Sequence, residues 1–287
     1  MEQIKKILVI GARGMAGHVI KAYFETLEGF DVWGIARNIQ PENKLINLDV
    51  SNVNELEIIL EKQKFDVVVN CIGLLNKTAE DNPELAIWFN SYFPHLLSKL
   101  GNIYDFKLIH ISTDCVFSGK EGGYKEDDFK NGVGFYAQSK ALGEVINSKD
   151  LTFRTSIIGP ELKKDGIGLF HWFMSQKTKI NGFSEAYWSG ITTIELAKAI
   201  KEAVAQNLTG LYQLTNNEKI NKYNLLQEFN TYFRNKSINI IPNPNYKVDK
   251  SLVNTRSNFE YKVPSYNEMI SEMKNWMDKY EKIYVHY

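Results

Sequence analysis

The sequence predicts an α/β fold, a doubly wound parallel sheet carrying a smaller C-terminal lobe, and three observations predict it. Apolar strand-like runs alternate with helical patterns up to about residue 155. The first run is followed at once by a glycine turn, Gly11-Ala-Arg-Gly14-Met-Ala-Gly17. Tyr136-Ala-Gln-Ser-Lys140 lies downstream of a strand-like run ending in Ser112-Thr113. Such alternation is the signature of a parallel sheet covered on both faces, here of the Rossmann type. With 287 residues and 44% hydrophobic content, the chain can bury a sizeable core.

The first strand is expected over residues 4–10, and a helical pattern runs on through Val19, Ile20, Tyr23, Phe24 and Leu27. Between them, missing side chains permit a tight turn and close backbone approach. The helix N-terminus adds free N–H groups and a positive dipole, so Gly11, Arg13, Gly14, Met15 and Gly17 are the expected cradle of a dinucleotide pyrophosphate. The second strand, over 31–36, ends in Arg37 with no acid at its carboxyl end. An acid there would hold the ribose hydroxyls of NAD, whereas an arginine suits the extra phosphate of NADP, so NADP(H) is favoured over NAD(H). Asp49, followed by Val50, closes the stretch 45–49 and is placed to face the adenine.

Further strands are expected over 65–71, 107–113 and 151–154, with helices over 53–63, 83–100 and 135–147. Ligands of such sheets bind at the carboxyl ends of strands, where Asn70, Cys71, Ile72, Gly73 and the run Ser112-Thr-Asp-Cys115 fall. A helix over 194–205 and a strand over 211–214 complete the sheet. The nucleotide-binding domain is therefore 1–159 with 191–215. Residues 160–190 and 216–287, richer in Tyr, Trp, Asn and Pro, form the smaller lobe over a cleft. Lys77, Lys177 and Arg256 are cations available to a substrate diphosphate, and Tyr187 or Trp188 could stack on it. Each reads more simply as a surface charge or a packed aromatic.

Residues four apart on a helix share a face, so Tyr136 and Lys140 can project to one side. The ammonium is expected to lower the phenol from its usual value of about 10, making Tyr136 a proton donor to a carbonyl that receives a hydride. Thr113 or Ser112 would hydrogen-bond the same oxygen and stabilise its developing charge.

Formal charge is zero and long runs of one sign are lacking, which argues against nucleic acid or an anionic membrane as partner. Cys71 and Cys115 are the only cysteines, and the five histidines are scattered, so neither a disulfide nor a metal site is expected. Without an apolar run of membrane-spanning length, the expectation is a soluble cytoplasmic protein, and the composition leaves room for a homodimer.

The ordered set Gly11-xx-Gly14-xx-Gly17, Ser112-Thr-Asp-Cys-Val-Phe-Ser-Gly119, Tyr136-xxx-Lys140 with Gly143-Glu144, and Phe153-Arg-Thr-Ser156 resembles the extended short-chain dehydrogenase/reductase family. Within it, the chain is most similar to the dTDP-4-dehydrorhamnose reductase-like branch of nucleotide-sugar reductases, up to about residue 215. The resemblance implies Thr113 as catalytic hydroxyl, Tyr136 as proton donor and Lys140 as the residue that binds the nicotinamide ribose and tunes the tyrosine. It implies Asn90 as holder of a proton-relay water, although a helix-borne asparagine bonded to backbone is an equal reading. Asn70, Ile72 and Gly73 would line the cofactor, and Arg154, Thr155 and Ser156 would form the turn beneath the carboxamide. The implied reaction is reduction of a nucleotide-linked 4-keto-6-deoxy sugar by NADPH or NADH. Related dehydratases carry Thr-Asp-Glu where this chain has Thr113-Asp114-Cys115, which favours reduction over elimination. A cofactor-binding regulatory subunit and a nucleotide-sugar 4-epimerase are the alternatives.

Overall fold

A computed structural model describes residues 4–287. Strands β1 (Lys5–Ile10), β2 (Phe30–Ala36), β3 (Leu45–Asn47), β4 (Val67–Asn70), β5 (Lys107–Thr113) and β6 (Leu151–Thr155) alternate with helices. These are α1 (Met15–Phe24), α2 (Val53–Gln63), α3 (Asn76–Asp81), α4 (Pro83–Ala86), α5 (Phe93–Ile103) and α6 (Phe135–Leu142). Short strands β7 (Ile157–Ile158), β8 (Lys179–Phe183), β9 (Ala186–Trp188) and β10 (Ile191–Thr192), with α7 (Leu169–Met174), precede α8 (Thr193–Ala205) and β11 (Gly210–Gln213). The chain continues through β12 (Ile220–Asn221), α9 (Lys222–Phe233), β13 (Asn239–Asn243), β14 (Val248–Asp249) and α10 (Tyr266–Lys279).

Seven strands form one parallel sheet in the order β11-β6-β5-β4-β1-β2-β3. The order reverses between β1 and β4, where a crevice opens at the carboxyl ends of the strands. Alternate residues feed two cores: Ile7, Val9, Val67 and Val69 pack with α1 and α8, while Leu8, Ile10 and Val68 pack with α2 and α5. Beyond the sheet, β9 is flanked by β12 and β14, and β8 pairs with β13.

Two features differ from the sequence reading for local reasons. The helix expected over 83–100 is interrupted by a π-helical turn, Ile87–Tyr92, in which the Phe93 N–H reaches back to the Trp88 carbonyl. Pro94 cannot donate to the Asn90 carbonyl, which is thereby released from the helical ladder. The helix expected over 135–147 stops at Leu142. Gly143 caps it, and a side chain there would overlap the Asn90 carbonyl oxygen, so this glycine lets the helix end close on the π turn.

The glycine turn is equally tight. Gly11 has φ +84° and accepts from the Gly14 N–H at 2.9 Å, and a Cβ on Gly17 would overlap the Gly11 carbonyl oxygen. A Gly17→Ala variant is expected to lose about 1–3 kcal/mol through overpacking and to lose dinucleotide binding with it. Denaturant melts and cofactor titration check both.

Candidate active site

The crevice at the sheet's switch point is built from the glycine turn and the end of β4. A Cβ on Gly11 would stand 3.1 Å from Ile72 Cγ1, so the two turns nearly touch. Helix α1 starts at Gly14 with no side-chain cap, whereas Asn52, Thr192, Asn221 and Ser265 cap α2, α8, α9 and α10. Its first N–H groups are left for an anion, which fits a dinucleotide pyrophosphate. At the ends of β2 and β3, Arg37 Nη1 lies 3.6 Å from Asp49 Oδ2, both groups largely exposed, and Asp49 also accepts from the Ser51 N–H at 3.0 Å. Val50 is buried in the core and Met15 lies near Gly168 at the start of α7.

At the end of β5, Thr113 is the N-cap of a short 3-10 turn. Its hydroxyl accepts from the Cys115 N–H and donates to Asp114 Oδ1, both at 3.1 Å. Tyr136, at the start of α6, stands beside this turn: burial raises the phenol well above its usual range, Cys115 and Asp114 add to the rise, and the Thr113 hydroxyl opposes it. The expectation that Lys140 lowers the phenol is thus corrected. The Lys140 ammonium donates to the Ile111 carbonyl at 2.7 Å and lies 3.4 Å from His110 Nε2. Burial pulls it down to about 8. Asn70 completes the chain: its Oδ1 accepts from the Ile72 N–H, so its amide donates to His110 Nδ1 at 3.2 Å. With Nδ1 accepting, the ring proton sits on Nε2 and faces Lys140, an arrangement that favours the neutral amine.

Ser112 and Arg154 also make contacts within the fold. The fully buried Arg154 guanidinium donates to Glu144 through Nε at 2.7 Å and Nη2 at 2.8 Å, and Nη1 donates to the Glu126 carbonyl. Ser112 Oγ donates to the same Glu144 carboxylate at 2.8 Å. Both side chains are consumed in tying strands to the end of α6. Thr155 Oγ1 donates to the Leu214 carbonyl, and the Ser156 carbonyl accepts from the Ile191 N–H. Asn90 grips both backbone groups of Leu74, at 2.8 and 3.0 Å, and donates to Ser139, so it fastens the loop around Gly73 to α6. Cys71 is pushed up to about 12 by burial and stands protonated.

Glu80 was not visible from the sequence. Its carboxylate accepts from the N–H groups of Phe135 and Tyr136, each at 3.1 Å, and caps α6 from α3. His110 carried only one signal, a polar residue between the apolar Ile109 and Ile111 in mid-strand. Of the cations considered for a substrate, Lys77 pairs with Asp81, Arg256 donates to Asn258 and the Leu211 carbonyl, and Lys177 is exposed after α7. Trp188 is buried against Tyr266, and Tyr187 lies beneath Lys219.

Comparison with known proteins agrees with this geometry. The family model described as the RmlD substrate binding domain matches residues 5–274. The chain is 29% identical over 158 residues to a probable low-salt glycan biosynthesis reductase of Haloferax volcanii, covering 52% of each chain. It is 31% identical over 143 residues to dTDP-4-dehydrorhamnose reductase of Mycolicibacterium smegmatis, covering 49% of this chain and 40% of that one. Over 141 residues it is 29% identical to methionine adenosyltransferase 2 subunit beta of Bos taurus, covering 49% and 42%. The chain thus spans about half the length of the curated relatives it matches. Among solved structures, dTDP-4-dehydrorhamnose reductase of Bacillus anthracis in complex with NADP superposes with a TM-score of 0.78 at 20% identity, over 94% of this chain and 98% of that one.

Breaking the buried pair should be costly. Arg154→Met leaves Glu144 in the core without its main partner and is expected to destabilise the fold by about 3–5 kcal/mol. The pair holds the Glu144 carboxyl below its ordinary value despite burial. Its contribution is therefore full above the usual glutamate range and is lost as pH falls through the depressed value. Acid denaturation of wild type and variant should converge at low pH.

Proposed function

The chain belongs to the RmlD substrate-binding domain family, and on that footing we propose that it reduces a nucleotide-linked 4-keto-6-deoxy sugar with NADPH. The setting would be cytoplasmic nucleotide-sugar supply for surface polysaccharide. Residues 1–159 and 191–215 would hold the dinucleotide, and 160–190 with 216–287 the sugar nucleotide. The observation that carries the reading is the placement of Tyr136, at the start of α6, beside Thr113 at the carboxyl end of β5, next to a protonated Cys115 where elimination would need an acid.

Bound NADPH supplies the hydride. Tyr136 donates its proton to the carbonyl oxygen as charge develops there, and Thr113, once its hydroxyl turns from Asp114, would hold that oxygen by a hydrogen bond. The raised phenol keeps its proton at neutral pH, as a donor must. Lys140, held at the Ile111 carbonyl and still mostly charged below a pH of about 8, would bind the nicotinamide ribose and return a proton to the tyrosine. The uncapped α1 and the glycine turn hold the pyrophosphate, and Arg37, released from Asp49, would pair with a 2′-phosphate.

A second reading is favoured by the similarity to methionine adenosyltransferase 2 subunit beta: a chain that binds the dinucleotide within an assembly and does not turn over. Incubation with NADPH and a panel of nucleotide-linked 4-keto sugars separates them, since oxidation of NADPH by any member supports reduction and its absence with all of them favours the binding role.

Tyr136→Phe should leave NADPH affinity unchanged and lower kcat by about 10²–10⁴, measured by steady-state oxidation of NADPH. Arg37→Ala should weaken NADPH about tenfold, or 1.4 kcal/mol, and leave NADH unaffected, read by fluorescence titration of the two cofactors.

A further inference from the structure

Two lysines of the second half of the chain bring their charge to the end of β5. Pairing of Ile220 with Trp188, and of Val248 with Ala186, sets β12 and β14 on either side of β9. The chain leaving β12 therefore enters α9 at Lys222, and the chain leaving β14 passes through Lys250. Lys222 Nζ lies 5.1 Å from the centre of the Trp188 ring. Lys250 lies against Gly119, in the loop that follows Asp114–Val116, and the Asp249 N–H donates to the Gly119 carbonyl at 2.7 Å. Both ammonium groups act on the Asp114 carboxyl and the Cys115 thiol.

Neither lysine forms an ion pair among the described residues, in contrast to Lys219, which is held by Asp249 at 2.6 Å. Asp114 is the acid on which both lysines act. Burial raises its carboxyl toward the neutral form, and the Thr113 hydroxyl already donates to it. Two cations, both half-buried, thus exceed one partly neutralised acid, and an anion is drawn in where charge is left uncompensated. Lys222 is also the first residue of a 12-residue helix, whose N-terminal dipole has the same sign.

We infer that Lys222 and Lys250 form the seat for the diphosphate of a nucleoside diphosphate. This rests on the proposed nucleotide-sugar reading and names the residues that recognise the anionic part of that substrate. The groups facing Lys222 are Asp114 and Cys115 from the end of β5 and Lys250 from beyond β14. Burial pulls the Lys222 ammonium down to about 8, and Asp114 and Cys115 oppose this. The seat loses charge as pH rises through that value, and affinity for the diphosphate falls with it.

The test is calorimetric titration of dTDP and UDP into the full chain and into Lys222→Met, Lys250→Met and Lys222→Arg. It is run below and above pH of about 8, with glucuronate as a carboxylate probe and NADPH affinity measured alongside. Each Met variant should weaken dTDP and UDP by about tenfold or more with NADPH unchanged. Lys222→Arg should keep the affinity and remove its fall above pH of about 8. Unchanged dTDP affinity in both Met variants overturns the seat, as does a loss confined to glucuronate. If these lysines hold dTDP and no 4-keto sugar is ever reduced, the seat stands and the reduction fails. If reduction proceeds in both Met variants with KM unchanged, the seat fails and the reduction stands.

Discussion

The buried ion pair of Glu144 with Arg154 fixes the distances on which the site depends. One carboxylate, just past the end of α6, receives Arg154 from β6, Ser112 from β5 and Lys130 from the loop before α6. Such a pair adds little net stability over an apolar core, but its removal from one side is costly, so its contribution is to register. Ser112 and Arg154 are register partners, as are Thr113 and Thr155. Successive strand residues face opposite ways, so anchoring Ser112 to Glu144 turns Thr113 toward Tyr136. The helix carrying the phenol is pinned at its far end by that carboxylate and at its start by Glu80. The hydroxyl and the phenol meet because both ends are fixed.

Much of this was legible in the sequence and some of it could not be. The sheet and the glycine turn were readable because short continuous apolar runs and a strand–glycine–helix order are local signals. The interruption of the long helix was less so: Pro94 announced a break, but the π turn it accompanies depends on Gly143 closing on the freed Asn90 carbonyl from 53 residues away. Ser112 and Arg154 looked like ligand contacts because they stand at strand ends. Only the fold shows that Glu144 occupies them. The spacing of Tyr136 and Lys140 suggests a shared face, yet spacing is silent about His110, which faces Lys140 from β5. Glu80 and Lys222 are distant in sequence from the residues they serve, and nothing local marks them.

The glycine turn is tied to the far end of the chain by one buried histidine. His18 on α1 lies 2.8 Å from the Gly14 carbonyl through Nδ1 and 2.8 Å from the Tyr284 hydroxyl through Nε2. Burial pulls the ring down to about 4, so it is neutral. A carbonyl can only accept, which places the proton on Nδ1 and leaves Nε2 to accept from Tyr284, whose oxygen in turn accepts from Trp276 Nε1 at 3.1 Å. The start of α1 is thereby coupled to α10 and the segment after it, and a change of packing in either is felt at the other.

Electrostatics divides the cleft into two zones with different tasks. At the end of β5, burial outweighs the pull of the nearby lysines on Asp114 and Cys115 and holds both toward their protonated forms, as it does Tyr136, and it keeps His110 neutral. Such a zone has donors to offer and little charge to repel a developing oxyanion. Toward the second half of the chain, Lys222 and Lys250 stand without acidic partners of their own, and there the field is positive. A ligand with a neutral reacting end and an anionic tail satisfies both zones at once, whereas one reversed end for end would set its charge against a protonated, poorly solvated pocket. Orientation then follows from the desolvation cost of the wrong pose, before any hydrogen bond to a particular sugar or base is considered.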